Sequence, residues 1–366
     1  MSLTPYLVAW RTTPLHDREV VDALVDPAHA APSPELAAAL RDWPGTYYWS
    51  DEPDGRHLVL TRPAAAAAAA RARAREPWAL HGLLFTAALF TTTLTGAVIT
   101  GALPADFRFL LQAGGLRAWA TGFQFSLPLV AILLCHELGH YLTARRYQLD
   151  VSPPYFLPGA PAPWGIGTFG AFIRLRTILT DRRQLLDVGA AGPIAGFVVA
   201  VPILLIGLAR SHPFTEGGAH GMLVPWGGPL LPLGDSIVTL LLRRLAMPEA
   251  SAVLLHPMAF AGWLGMFVTM LNLLPIAQLD GGHILYAAVP RLHRRVARAF
   301  WVGILALGWF WLGWLIWGFL VLVLSRGQLG HPPVLDAYRP LPRGRRWLVW
   351  ASLALFVLTF APAPFS

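Results

Sequence analysis

Residues 131–140 read AILLCHELGH, which places the pattern H-E-x-x-H inside a strongly apolar stretch. His136 and His140 are four residues apart, so in a helix they lie on one face and both imidazoles can reach a single ion. The adjacent Glu137 can accept a proton from water held at that ion. Ionisable groups are costly inside a bilayer, and a shared metal ion accounts for all three. The stretch therefore predicts a metal site within a membrane-spanning helix.

The composition agrees with a membrane location. Of the 366 residues, 55% are hydrophobic and 13% are charged, and the mean hydropathy is +0.52. A soluble domain carries roughly 25% charged residues, so the composition argues against a soluble enzyme, a disordered protein and a disulfide scaffold. The net charge of +8 comes mostly from arginines in short loops. Such arginines indicate membrane topology before they indicate a nucleic-acid partner. The sequence predicts a polytopic α-helical membrane protein that binds no nucleic acid.

The chain is predicted to have two parts. Residues 1–77 hold half of the 20 acidic residues, and strand-forming residues at 47–60 surround a turn at Asp54-Gly55, which predicts a small α+β extramembrane domain. An alanine run at 64–70, followed by arginines, predicts a helical stalk with a basic end. Residues 78–366 form the transmembrane domain. About 20 apolar residues cross a bilayer, and the expected spans are 79–102, 120–147, 186–208, 252–274, 301–324 and a weaker one at 347–360.

The arginine positions predict the orientation. Arginines precede the first span, follow the second and follow the fourth, which places the N-terminus and the H-E-x-x-H side in the cytoplasm. A bacterial inner membrane is the expected location. Arginines also follow the fifth segment, where a single crossing would place them outside the cytoplasm. Either 301–324 is re-entrant, or the rule that arginine-rich loops face the cytoplasm does not hold there.

The loop between the second and third spans predicts an interfacial β-hairpin at about 153–180. It begins with a stiff Pro-rich stretch, contains Gly165, Gly167 and Gly170, and continues into alternating apolar and cationic residues at 171–176. Period-two alternation indicates a strand. The exposed edge of such a hairpin can pair with an extended peptide.

A second segment completes the predicted metal site. Residues 272–283 read NLLPIAQLDGGH, and the fourth span leads into them in the same direction as the second span. Asp280 is therefore expected at the same depth as the two histidines. Pro275 and the Gly281-Gly282 pair would let the chain bend there. A catalytic zinc usually takes three protein ligands, and Asp280 supplies the third.

The pair HELGH at 136–140 and NLLPIAQLDGG at 272–282 resembles the site-2 protease family of intramembrane zinc metalloproteases, whose signature is HExxH on one span and N-x-x-P-x-x-x-L-D-G on a later one. The similar region covers about residues 120–290. The resemblance implies a site-2-protease-like helical core with one Zn²⁺ per chain, ligated by His136, His140 and Asp280, with Glu137 as catalytic base. No inserted PDZ-like domain is evident, as in the plant-chloroplast-like and bacterial subgroup.

The implied activity is cleavage of single-span membrane proteins within the bilayer. The resemblance gives Asn272 a substrate-facing role, and the hairpin around Gly170 and Ala171 is expected to receive an unwound substrate strand. One alternative is another HExxH-type membrane zinc peptidase with a downstream glutamate ligand. A different class of alternative is a catalytically silent scaffold that binds membrane proteins. The sequence leaves the oligomeric state open.

Overall fold

The structure, a computed structural model, describes residues 3–15, 18–29, 33–64, 76–104, 115–176, 179, 181–215, 218, 220–332, 334 and 340–365. The chain divides into two compact units, Met1–Pro77 and Trp78–Ser366. Residues 65–75, which carry nearly all of the expected alanine-rich stalk, lie outside the described residues.

In its described residues, the first unit is a four-stranded antiparallel sheet with one short α-helix. Its elements are β1 (Leu7–Leu15), β2 (Arg18–Val25), α1 (Pro34–Arg41), β3 (Tyr47–Glu52) and β4 (Gly55–Pro63). The strand order is β1-β2-β4-β3, and β3 and β4 form the strand–turn–strand expected at 47–60. The Ser33 hydroxyl accepts a hydrogen bond of 3.2 Å from the Leu36 N–H, which caps the start of α1. Leu36 and Leu58 are fully buried in the core between helix and sheet.

Among the described residues of the second unit, three helices are long and apolar enough to cross a membrane, which is consistent with a helical membrane protein. They are α2 (Trp78–Ile99), α3 (Gly115–Arg146) and α4 (Arg182–Ala209). The 22 residues of α2 extend about 33 Å at 1.5 Å per residue, which covers the ~30 Å hydrocarbon core. These helices match the first three expected spans to within a few residues, apart from an earlier start of α3.

Small residues let these helices pack at backbone distance. A Cβ atom added to Gly96 of α2 would lie 2.3 Å from the Gly122 carbonyl oxygen of α3, and one added to Gly139 of α3 would lie 2.5 Å from the Ala191 carbonyl oxygen of α4. Lipid tails are as apolar as leucine, so helices in a membrane associate through close contact rather than through the hydrophobic effect. The second contact fixes α3 against α4 next to the H-E-x-x-H residues.

A two-stranded hairpin follows α3. Strand β5 (Tyr155–Pro158) pairs antiparallel with β6 (Thr168–Phe172), and an isolated bridge between Val151 and Leu175 extends the pairing. The hairpin expected at 153–180 is thus present, although its second strand ends at Phe172 instead of continuing through 176. Within the described part of the chain β6 pairs with β5 alone, so its other edge is open.

A second four-stranded sheet, not predicted from the sequence, lies between α4 and the next long helix. Its strands are β7 (His212–Phe214), β8 (Gly221–Pro225), β9 (Leu230–Leu233) and β10 (Ala252–Leu254), in the order β7-β10-β8-β9. The amphipathic helix α5 (Ile237–Ala246) joins β9 to β10. The expected span 252–274 is therefore wrong at its start. Its first residues form an inner strand, in which Val253 is fully buried, because a β-branched residue packs well on a sheet.

The remaining helices are α6 (Pro257–Asn272), α7 (Asp280–Ala288), α8 (Pro290–Leu307), α9 (Gly313–Leu324) and α10 (Arg346–Thr359). The segment 301–324, expected either to cross the membrane or to re-enter it, is not one continuous helix, because residues 308–312 form a turn between α8 and α9. Two glycines permit it. A Cβ atom on Gly308 would lie 2.5 Å from the Leu315 side chain, and one on Gly313 would lie 2.1 Å from the Trp311 ring. The 12 residues of α9 extend only about 18 Å, less than the ~30 Å core.

Candidate metal centre

Helix α3 carries His136 and His140 on one buried face. Their side chains are nearly inaccessible, with exposed fractions of 5% and 7% for the two residues. The two Nε2 atoms lie 3.2 Å apart. The i and i+4 spacing of the helix therefore directs both imidazoles to one point, as the sequence predicted.

Asp280 reaches the same point from α7. Its Oδ2 atom lies 3.3 Å from His136 Nε2 and 3.4 Å from His140 Nε2. Helix α6 ends at Asn272, and a turn at residues 273–279 leads to Asp280 as the first residue of α7. The turn requires a glycine after the aspartate, since a Cβ atom on Gly281 would lie 1.9 Å from the Leu273 carbonyl oxygen.

The spacing of these three atoms fits a tetrahedral zinc ion. Ligand atoms at about 2.0–2.1 Å from a tetrahedral zinc are about 3.3 Å apart, and the three observed separations are 3.2, 3.3 and 3.4 Å. Asp280 Oδ2 is buried without a hydrogen-bond partner, and such a group is costly unless a cation compensates it. Among the described residues, His136, His140 and Asp280 form the buried group of side chains whose ligand atoms can hold one metal ion.

Hydrogen bonds orient the imidazoles. His140 Nδ1 lies 2.7 Å from the Val188 carbonyl oxygen of α4. Because a carbonyl can only accept, Nδ1 carries the proton and Nε2 keeps its lone pair for the metal position. Asn272 Nδ2 lies 3.3 Å from His136 Nε2, so the end of α6 also contacts the centre.

Two glycines of α4 provide the room that the imidazoles occupy. A Cβ atom on Gly192 would lie 2.0 Å from His140 Nε2, and one on Gly196 would lie 3.2 Å from His136 Nδ1. The sequence analysis did not identify these residues as part of the site. The feature of the sequence that could have identified them is that Gly192 and Gly196 are four residues apart, as are the two histidines on the facing helix.

Glu137 and the hairpin line the same cavity, which has a volume of about 230 Å³. Glu137 is buried, with 6% of its surface exposed, and the backbone N–H of Ile173, just after β6, faces its carboxylate. The predicted residues His136, Glu137, His140, Ala171, Asn272 and Asp280 all line this cavity. Gly170 does not line it. With a φ of +100°, Gly170 instead shapes the strand beside the cavity in a conformation that favours glycine.

Comparisons with known proteins match the region that contains the candidate metal centre. Residues 124–312, more than half of the chain, match the model of peptidase family M50. The probable chloroplastic zinc metalloprotease EGY1 of Arabidopsis thaliana is 34% identical over 249 residues, which cover 65% of this chain and 43% of that protein. EGY2 of the same plant is 32% identical over 219 residues, which cover 57% of this chain and 35% of that protein. EGY1 of Oryza sativa subsp. japonica is 32% identical over 243 residues, which cover 64% and 39%.

The matched regions span about two fifths of the length of these relatives. No solved structure matches this chain. The family match includes both H-E-x-x-H and the Asp280 segment, and it confirms the resemblance that those two motifs carry. The chain therefore belongs to peptidase family M50, the site-2 protease family.

Proposed function

We propose that this protein is a zinc metalloendopeptidase that cleaves the transmembrane segments of single-span membrane proteins. The observation that supports the proposal is the spacing of His136 Nε2, His140 Nε2 and Asp280 Oδ2, which suits one tetrahedral zinc per chain. The relatives EGY1 and EGY2 are named as probable zinc metalloproteases. The two histidines lie on a helix that can span a membrane, so the bond that is cut lies within the bilayer.

The residues of the cavity have separate roles. His136, His140 and Asp280 hold the metal, which when bound supplies the Lewis acidity that polarises a peptide carbonyl and acidifies water. The Glu137 carboxylate lines the same cavity, where it accepts the proton of the attacking water and delivers it to the leaving amine. Asn272 presents its amide there and hydrogen-bonds the substrate backbone.

The substrate enters as an extended strand. A helix in a bilayer keeps its carbonyls hydrogen-bonded and covered, so a substrate helix unwinds before attack. Strand β6 is open along one edge among the described residues, and Ala171, Phe172 and Ile173 line the cavity beside Glu137. An unwound segment that pairs with this edge would lie next to the metal centre.

Replacing Ala171 with proline tests the strand pairing. Proline removes the backbone N–H, and we expect cleavage of a helical membrane substrate to fall by at least about tenfold, as when more than 1.4 kcal/mol of binding is lost. Cleavage of an extended peptide substrate, which does not have to unwind, is expected to fall less. Ala171→Val, which keeps the N–H, is the control. Equal losses for the two substrates would contradict a strand-pairing role.

Replacing Glu137 with glutamine tests the peptidase activity itself. The amide cannot accept the proton, so we expect the cleavage rate to fall about 10²- to 10⁴-fold, with zinc content unchanged. Quantitative proteomics of membranes from cells that carry wild type or Glu137→Gln is the measurement, and uncleaved substrates should accumulate only with the variant. The control is Cys135→Ser, the neighbouring residue, which should behave as wild type. Full activity of Glu137→Gln would favour the silent scaffold.

The proposed location is a membrane with the metal side facing the arginine-rich loops, which corresponds to the cytoplasmic side in a bacterium. The relatives are named as chloroplastic proteins and give no support to a bacterial inner membrane. The alternative peptidase with a glutamate ligand is less favoured by the geometry. The glutamates that follow His140 in the sequence are Glu216 and Glu249 only. The carboxylate that lies next to both histidines is instead that of Asp280.

A further inference from the structure

A second polar cavity lies about two helical turns beyond the metal centre, at the arginine-rich end of α3. Its volume is about 300 Å³, whereas a cavity needs roughly 10–15 Å³ to hold one water molecule, so it accommodates a larger ligand. It lies where α3, α4 and α10 converge, and its lining residues are Thr143, Arg146, Tyr147, Arg183, Asp187, Ala191, Arg345 and Leu348.

The lining of this cavity is strongly cationic. It has three arginines and one carboxylate, Asp187, which leaves a net charge of +2. Arg345 Nε lies 2.9 Å from Asp187 Oδ1, and the Tyr147 hydroxyl donates a hydrogen bond to the same carboxylate. These contacts neutralise one arginine and fix the base of the cavity.

The other two arginines, Arg146 and Arg183, keep their charge available. Both are exposed, and among the described residues neither has an ion-pair partner. The Arg183 guanidinium stacks over the Tyr147 ring at 5.9 Å from the ring centroid, which holds it at the cavity. Arg146 and Arg183 thus line one cavity, and guanidinium groups are well suited to bind phosphate because each offers several N–H donors.

The apolar part of the cavity indicates that the phosphate belongs to a lipid. Ala191 and Leu348 contribute apolar surface, while the arginines supply the charge. On both sides of Leu348, Trp347 and Trp350 expose 59% and 68% of their surface, and exposed tryptophans mark the headgroup level of a bilayer. A free phosphate ion would use only the cationic part.

We propose that this cavity binds the phosphate headgroup of an anionic phospholipid between Arg146 and Arg183. Basic pockets between membrane helices bind such headgroups in other proteins. The site is separate from the peptidase centre, since none of its lining residues contributes to the metal site. It is nevertheless connected to that centre, because Asp187 directly precedes Val188, whose carbonyl accepts the hydrogen bond of His140.

Native mass spectrometry of the purified full-length protein tests this site with three probes: phosphatidylglycerol, phosphatidylcholine and inorganic phosphate. Wild type is expected to bind phosphatidylglycerol in preference to phosphatidylcholine. Arg146→Gln/Arg183→Gln should bind phosphatidylglycerol about 30-fold more weakly, since each cationic side chain contributes about a factor of five. The control Arg291→Gln/Arg295→Gln makes the same charge change on α8, and its affinity should equal that of wild type.

Folding is monitored by the thermal unfolding temperature in lipid-free detergent, which should change little, because the two substitutions break no ion pair and remove only the exposed contact of Arg183 with the Tyr147 ring. The proposal is overturned if the cavity variant binds phosphatidylglycerol as tightly as the control variant, or if both variants lose affinity equally. It is also overturned if inorganic phosphate displaces phosphatidylglycerol from wild type at equal concentration, since the ligand would then be a soluble phosphate.

Discussion

Replacing Asp280 with alanine is expected to lower zinc affinity by more than about 100-fold, beyond the 10- to 100-fold loss typical of changes in groups that only orient a ligand. The change removes one of three side chains whose ligand atoms lie within 3.4 Å of one another. The two histidines alone cannot complete the three-ligand set of a catalytic zinc. Zinc content of the purified protein and cleavage of a membrane substrate should therefore be lost together.

Asp235→Ala is the matched control for this prediction. Asp235 is also a half-buried carboxylate, and it accepts a 3.0 Å hydrogen bond from Arg243 in the part of the chain around the second sheet. Its loss should lower the unfolding temperature without changing zinc content. Zinc retained in full by Asp280→Ala would instead support the alternative peptidase, in which a glutamate is the third ligand.

Replacing Gly192 with alanine is expected to abolish zinc binding although no ligand is changed. The added Cβ atom would lie 2.0 Å from His140 Nε2, the atom that faces the metal position. The imidazole cannot move away easily, because its Nδ1 is bonded to the Val188 carbonyl on the same helix as Gly192. The helices cannot separate easily either, because Gly139 and Ala191 are already in backbone contact. Zinc content and activity should both fall to background.

The control for Gly192→Ala is Gly207→Ala on the same helix. A Cβ atom there would lie 2.3 Å from the Ala259 backbone nitrogen of α6, so this change is equally crowded but lies away from the metal centre. We expect it to lower the unfolding temperature while zinc content stays at one per chain. A Gly192→Ala variant that retained as much zinc as wild type would show that the space at Gly192 does not matter for the metal.

The metal-centre residues could be predicted from sequence because short-range geometry determines most of their placement. His136 and His140 share a helix, and their separation of four residues directs both side chains to one side. The position of Asp280 followed from two helices that run in the same direction, together with the Pro275 and glycine pattern that allows a turn. The ligand roles of these three residues stay predictions until metal is measured.

The surroundings of the centre could not be predicted, because they depend on which helix packs against α3. The Val188 carbonyl is a backbone group, and the sequence carries no mark of its hydrogen bond to His140. Gly192 and Gly196 lie in the span expected at 186–208, but only the structure shows that they face the imidazoles. A glycine pattern alone does not identify the atoms on the other side.

The structure differs from the sequence-based prediction in two further places, each for a local reason. The sheet of β7 to β10 has strands of three to five residues, and several contain proline, which weakens a strand pattern in the sequence. The segment 301–324 has continuous hydropathy, which predicts one span. Its break depends on Trp311 packing over Gly313, a contact that hydropathy does not report.

X-ray absorption spectroscopy at the zinc edge, combined with elemental analysis of the purified protein, is the most direct test of the metal centre. We predict one zinc per chain with only nitrogen and oxygen ligands, at about 2.0–2.2 Å. A substoichiometric zinc content would contradict the assignment of His136, His140 and Asp280 as ligands. A sulfur ligand at about 2.3 Å would contradict it as well. Cys135 is the only cysteine in the chain, so it would then be a zinc ligand in place of one of these three residues.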